Sequence, residues 1–374
     1  MRAAGQRRGS LTPVPSILHV LPHSGGGAET YLDMLEAIPG LSQRRVTLSG
    51  TRVPLLAGAS IAREYPGIAR LAAKADIVHV HGDLPSIISL PLLRMARRSV
   101  WTTHGLHFLR RTGVFRGPLA RAAMGAVLRT ADRTICTSEA ERRELLRLAP
   151  GGLAGRIVAI HNGIEEPALA SAEERRAARE EIGLAEGDVA ALFLGQLEQR
   201  KDPLVAVAAA REVRRRGVPL VLLLAGDGPL ADRVASWCDD VGRPLGFRTD
   251  VDRLLAAADL FLMPSRHEGL SFAVLEAMGQ GLPMVVSDGP GNPEAVEEAG
   301  IVVPRGDVWK FADAIERLAR DEGERRRLGD AARRRVVERL TADAFLGATE
   351  RVYAELIADG GATAPVRGAD GVPA

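Results

Sequence analysis

The sequence predicts an α/β protein made of two doubly wound parallel sheets, and three observations predict it. At 374 residues the chain is too long for one modest core and suits two domains. Short apolar runs bounded by turn residues alternate with helical stretches along most of its length, the pattern of βα units feeding a parallel sheet. The alternation breaks once, at the loop Ile164-Glu165-Glu166-Pro167 and the charged helix at 171–184 (SAEERRAAREEIGL). The expected organisation is therefore a domain at 13–167, a second at 168–341, a closing amphipathic helix at 342–358 and a disordered Gly-, Ala- and Pro-rich tail at 359–374.

Composition narrows the classes. Hydrophobic residues at 46% and charged residues at 26% describe a globular chain, and no apolar run reaches the roughly 18 residues that a spanning helix needs. The start, MRAAGQRRGSLTPVP, has basic residues but no apolar stretch behind them, so it reads as a disordered lead-in and a cytoplasmic location is expected. A net charge of +2 argues for no nucleic-acid partner. Cys136 and Cys238 lack metal-ligand or redox spacing and read as reduced thiols. Lysine is scarce, only Lys74, Lys201 and Lys310, so a lysine at a motif position carries information.

In the first half, strands are expected at 15–21 (PSILHVL), 45–50, 76–81 (DIVHVH), 99–103 (SVWTT), 133–138 (RTICTS) and 156–162 (RIVAIHN), with a helix at 61–75. The first strand runs into His23-Ser24-Gly25-Gly26-Gly27 and then a helix from Ala28, an arrangement that lets backbone approach a phosphate or sugar. Ligands should lie beyond the strand C-termini. Histidines 79, 81, 104, 107 and 161 fall at those ends, and His79-Val80-His81 puts two rings on one strand face. A metal-dependent hydrolase is thus a rival reading, against which stands the small number of βα repeats. Residues 108–129 mix five arginines with apolar side chains and fit either a membrane-touching amphipathic surface or a solvated helix face.

In the second half, five buried strands are expected at 188–195, 219–225, 259–265, 282–287 and 300–304. Asp250-Val251-Asp252 could be taken for a metal-binding DxD, but it precedes a helix, where Asp250 serves as an N-cap. No metal is expected. The chemistry concentrates in 267–288 (HEGLSFAVLEAMGQGLPMVVSD). Here a strand ends, Glu268 lies on the loop, Gly269-Leu270-Ser271 turns, Ser271 is the expected N-cap, and the helix from Phe272 ends with Gly281 as C′ residue. Amides at such a helix start can hold a phosphate. Glu268 is placed to reach a sugar above it, and Glu276, inside the helix, to take the two hydroxyls of a ribose.

This stretch resembles the EX7E motif of retaining GT-B glycosyltransferases of group 1, glycosyltransferase family 4, and the resemblance runs through most of the chain. It implies two facing Rossmann-like domains with a cleft between them. A nucleotide-diphosphate sugar would be held mainly by the second domain, and a glycan or lipid-linked acceptor mainly by the first. By the same resemblance Gly26 and Gly27 face the donor across the cleft and His104 contacts the sugar, a histidine also discussed as an acid/base. Residues 195–201 (GQLEQRK) resemble the family's G-R-L-x-x-x-K, so Lys201 binds the leaving diphosphate. Gln196 stands where the family has arginine, and Arg200 is expected to compensate. Gly226-Asp227-Gly228-Pro229 matches a GxGP turn, Arg248 lies in the segment beside the base, and 293–298 starts a helix near the sugar. The implied catalytic set is Glu268, His104 and Lys201. Donor binding adds Gly26, Gly27, Gln196, Arg200, Arg248, Gly269, Leu270, Ser271, Phe272 and Glu276. A catalytically silent nucleotide-sugar-binding module and an epimerase on the same fold remain as alternatives.

Overall fold

The computed structural model describes residues 14–21, 26–48, 54–107, 109, 117–149, 151–238 and 241–360. The lead-in, the His23 to Gly25 part of the glycine loop, residues 108 and 110–116 of the arginine-rich stretch, and 361–374 of the tail lie outside them.

Two six-stranded parallel sheets form the two lobes. The first contains β1 Ser16–Leu21, β2 Ser42–Thr47, β3 Ile77–His81, β4 Arg98–Thr102, β5 Arg133–Cys136 and β6 Ile157–Ala159, in the order β2-β1-β3-β4-β5-β6. The second contains β7 Val189–Leu194, β8 Leu220–Ala225, β9 Gly242–Gly246, β10 Leu260–Met263, β11 Met284–Ser287 and β12 Gly300–Val303, in the order β12-β11-β10-β7-β8-β9. In each sheet the chain reverses winding direction once, between β1 and β3 and between β7 and β10. Ligands of open α/β sheets bind at such switch points, beyond the strand C-termini.

The strands form where apolar or β-branched residues run unbroken, since a strand covered on both faces can expose no polar side. Residues 220–225 (LVLLLA) are buried throughout, and helices close over both faces of the second sheet. Five strands were expected there and six form. The additional one, β9 (GRPLG), has the Gly and Pro that argue against a strand, and it is tolerated because it sits at the sheet edge, paired only with β8. The helix expected at 61–75 spans Pro54–Ala72.

Two capping expectations need correction. Asp250 occupies the N-cap position of the helix Val251–Ala257 but makes no side-chain cap; its carboxylate takes Arg248 instead. Ser271 precedes the helix Phe272–Gly279 without capping it, which leaves that helix start unobstructed by its own side chain. The other end follows expectation. Gly281, at φ 72°, donates to the Met278 carbonyl at 2.9 Å, and Leu282 donates to Ala277 at 3.0 Å, the paired bonds of a Schellman cap.

The helix Ala342–Gly360 packs on the first sheet, with Phe345, Val352, Tyr353 and Leu356 buried beside Ile17, Tyr31 and Ile77. Its Leu356 carbonyl accepts from Arg98 Nε at 3.2 Å.

Candidate active site

Two loops at the C-terminal ends of β7 and β10 build the pole of the second lobe. After β7 the chain turns through Gly195, and the backbone of 226–229 packs so closely on it that a Cβ at Gly226 would lie 1.9 Å from the Gly195 carbonyl oxygen. That close approach fixes the path of residues 195–201. It delivers Lys201, 8% exposed, against Glu268 from the β10 loop, with Nζ to Oε1 at 2.8 Å. Arg200 reaches the same carboxylate at 3.4 Å and grips Glu198 through Nε and a terminal nitrogen at 2.9 and 2.6 Å. Burial would push the Glu268 carboxyl up, but the two cations more than offset it and hold it at about 2. Burial also draws the Lys201 ammonium down from its ordinary value, a shift that Glu268 opposes.

Glu268 is only 4% exposed, so it does not stand free on its loop to reach a sugar, as the sequence suggested. A buried cation recruits the nearest carboxylate, and here the carboxylate folds onto Lys201. The covering comes from the opposite lobe as well as its own. A Cβ at Gly269 would lie 2.3 Å from Thr137 Oγ1, so the backbone after Glu268 abuts the first lobe directly. Gly291, at φ 89°, closes it from behind, since a Cβ there would lie 1.5 Å from the Gly269 carbonyl oxygen. Arg200 does not stand free to replace the missing family arginine, because two carboxylates already hold it. Gln196 itself is exposed, and a Cβ on Gly26 would lie 3.9 Å from its Nε2.

The two lobes meet around this pole. Gly27 faces Phe272, with 3.6 Å from its Cβ position to the ring, and the Phe272 side chain is buried in the first lobe's apolar cluster with Tyr31 and Phe345. Leu270 is buried in the second lobe's core, and its carbonyl accepts from Asn162 Nδ2 at 2.6 Å. The side chains of Leu270 and Phe272 are thus committed to packing, so what they can offer a ligand is backbone. Farther along the seam, Glu294 accepts from the amides of Glu139 and Ala140 at 2.6 and 3.0 Å and from His161 Nε2 at 2.5 Å. A carboxylate from one lobe therefore sits on the N-terminus of a helix of the other, Glu139–Leu148. Sequence named His161 and the 293–298 stretch separately; their pairing spans 133 residues and no local pattern announces it.

Two expected donor residues stand outside the Lys201–Glu268 cluster. Glu276 is partly exposed, with no hydrogen-bond or ion-pair partner among the described residues, and burial, then Asp252, raises its carboxyl. A carboxylate without a cation suits hydroxyl donors. Arg248 is occupied by Asp250 and lies 3.9 Å from Glu181, while neighbouring Phe247 is 76% exposed.

On the first lobe, His104 follows β4 with φ 54°, its Nε2 3.1 Å from His81 Nδ1 and its ring edge-on to Tyr31 at 4.7 Å. Burial lowers it to about 4, so it is neutral at pH 7. His19, His79 and His81 lie close enough to be weighed as metal ligands. Their nitrogens are otherwise engaged. His79 bonds Thr102 Oγ1 at 2.7 Å and Tyr353 OH at 2.6 Å, and His19 and His81 bond each other at 3.1 Å. The hydrolase reading finds no support in that pairing.

Two doubly wound lobes whose switch-point loops touch across a seam define a GT-B protein. Residues 188–321 match the family model "Glycosyl transferases group 1", and 25–166 match "Glycosyltransferase Family 4". The chain belongs to this family of group 1 glycosyltransferases. It is 30% identical over 266 residues to D-inositol 3-phosphate glycosyltransferase of Mycobacterium tuberculosis, covering 66% of this chain and 54% of that protein. The chain thus spans about half the length of the curated relatives it matches. Among solved structures it resembles Anabaena HepE in complex with UDP-glucose, at 19% identity and TM-score 0.76, covering 91% of this chain and 99% of that one. It also resembles sucrose-phosphate synthase from Thermosynechococcus elongatus, at 20% identity and TM-score 0.78, covering 92% and 100%. At these identities the two structures speak for the fold.

Proposed function

We propose that the protein is a retaining glycosyltransferase that moves a hexosyl unit from a nucleotide-diphosphate sugar to a glycan or lipid-linked acceptor, in cell-envelope or surface-glycan synthesis at the cytoplasmic face of a membrane. One observation carries the reading: a buried lysine and an uncapped helix start converge at a switch-point seam, facing a glycine loop from the other lobe. That combination suits a diphosphate, which needs cationic charge and amide donors in a site that excludes water. Among the described residues no helix is long and apolar enough to cross a membrane, so any membrane contact would be peripheral.

Each group has a part. Lys201 and the amides at 270–272 stabilise charge as the bond from the sugar's anomeric carbon to the diphosphate oxygen breaks, and the electron pair stays on the diphosphate. Gln196 adds a neutral hydrogen bond. Glu268, released from Lys201 by the incoming phosphates, orients sugar hydroxyls, Glu276 the ribose, and His104 the sugar's far side. Arg248 and Phe247 lie toward the base. The acceptor oxygen attacks from the face the diphosphate leaves, and its proton passes to the departing phosphate oxygen, giving retention without a covalent enzyme intermediate. No metal has a role in this scheme. HepE's complex with UDP-glucose makes a UDP-linked hexose the first donor to try, ahead of a GDP-linked one.

A thermal-shift panel of UDP, GDP, ADP and their hexose conjugates tests the donor, because a ligand that binds the folded state raises the melting temperature by mass action. A shift with one diphosphate family, followed by transfer that NMR shows to keep the anomeric configuration, is expected. Binding with no transfer to any acceptor would favour the silent module, interconversion of the free nucleotide sugar would favour the epimerase, and an inverted product would reject retention.

A further inference from the structure

Beneath His104 the first lobe contains a hydrogen-bonded chain of side chains that none of the roles above uses. His104 Nε2 lies 3.1 Å from His81 Nδ1, His81 Nε2 lies 3.1 Å from His19 Nδ1, and His19 Nε2 lies 2.9 Å from Gln43 Oε1. The chain ends there, because Gln43 Nε2 donates to the Leu35 carbonyl at 2.6 Å. β1, β2 and β3 supply His19, Gln43 and His81 from adjacent strands, with His19 in register with both Arg45 and His79.

Direction follows from valence. A carbonyl can only accept, so the Leu35 oxygen fixes which end of the Gln43 amide is nitrogen and turns its oxygen toward His19. His19 must then carry its proton on Nε2, which leaves Nδ1 to accept. His81 donates to it from Nε2 and accepts at Nδ1, and His104 donates from Nε2. Its own Nδ1 remains a bare lone pair, with no partner among the described residues. The order requires every ring to be neutral, and burial keeps all three below their ordinary value, His19 and His104 at about 4 and His81 well below it too. The Tyr31 ring, 4.7 Å from His104 and perpendicular to it, limits its rotation.

We infer that Gln43, His19 and His81 are positioning residues that fix the tautomer of His104, so that His104 Nδ1 meets its ligand as a hydrogen-bond acceptor and selects a hydroxyl donor such as a sugar OH. The assignment of the sugar rests on the transferase reading; the tautomer order does not.

The test is NMR of the whole protein labelled with ¹⁵N-histidine, without ligand at pH 7.5, read beside transfer kinetics. In the unmodified protein, His104 should show a protonated, pyrrole-type Nε2 and a pyridine-type Nδ1. Gln43→Met removes the terminal acceptor and should give mixed tautomers. Gln43→Lys puts a donor in its place and should reverse the pattern at His104. In both variants kcat should fall about tenfold, equal to about 1.4 kcal/mol, with the donor KM within twofold of the unmodified value. A pyrrole-type Nδ1 on His104 in the unmodified protein, or ratios unmoved in both variants, would overturn the inference. The expected tautomers in a protein that transfers no sugar would count against the transferase reading alone.

Discussion

The two poles that meet at the seam solve opposite electrostatic problems. The second lobe buries charge: Lys201 and Arg200 against Glu268 and Glu198. Beneath His104 the first lobe gathers neutral polarity instead: four histidines, an amide and hydroxyls, with no carboxylate in that hydrogen-bonded chain. Buried opposite charges attract strongly whatever their precise orientation, and they can exchange one anion for another. Neutral hydrogen bonds give up that strength for direction, since each ring must donate at one nitrogen and accept at the other. The pole that would meet a leaving diphosphate is thus the one able to trade a carboxylate for a phosphate. The pole that would meet the sugar is the one able to discriminate donors from acceptors.

Removing one member of the charged pole should give the largest effect. Lys201→Ala takes away the cation proposed for the diphosphate and should lower kcat by at least about a hundredfold. It also leaves Glu268 buried with only the longer Arg200 contact, which should cost about 3 to 5 kcal/mol of stability by denaturant unfolding. Adding Glu268→Gln to Lys201→Ala should restore most of the stability and none of the activity. If the single variant keeps full turnover, the pole is structural and the site assignment fails.

Acid separates the two poles next. His19 and His104 sit at about 4 in the folded chain against 6.5 when exposed, so between those values the unfolded chain binds more protons. Their contribution to stability should therefore start to fall as pH drops through about 6.5 and level off near 4. Glu268 behaves in the same sense but in a lower pH window, at about 2 against 4.5. Its stabilising contribution is complete above 4.5 and is lost only as pH falls from there toward 2. Unfolding free energies measured from pH 8 to pH 3 should show an early, histidine-dependent decline that His19→Gln flattens. A single decline starting below pH 4.5 would mean that the histidines are not buried as neutral rings.

How far sequence could anticipate these poles follows from the same contrast. The charged pole is written in two short stretches, 195–201 and 267–276, and both were readable because a lysine is rare here and a Gly turn at a strand end is a local signal. What escaped was the state of the groups: Glu268 folded onto Lys201, and Arg200 already held by Glu198. The neutral pole was only half visible. His81 and His104 stood out at strand ends, whereas His19 was not singled out within its apolar strand and Gln43 fell outside the strand expected at 45–50, which forms instead at Ser42–Thr47. Their role depends on strand order β2-β1-β3, which sets residues 19, 43 and 81 side by side and which periodicity does not specify. β9 was missed for a related reason, because edge position rather than composition is what permits its Gly and Pro.

The smallest expected effect sharpens the comparison at its least charged point, Gln196. Its side chain is exposed and faces the Gly26 loop, so it meets the proposed diphosphate without an ion-pair partner of its own. Gln196→Arg would replace a neutral hydrogen bond worth about 1 kcal/mol with a charge-assisted one worth about 1.5 to 3 kcal/mol. Part of that gain should be lost to Glu198, two residues away, which would compete for the new guanidinium as it already holds Arg200. The expected result is a donor KM lowered about three- to tenfold at low salt, with the gain shrinking as ionic strength rises, because an exposed charge is screened within about 10 Å at 0.1 M. A KM that does not move at any salt concentration would place the diphosphate away from residue 196. The pole would then be reduced to Lys201 and the helix start.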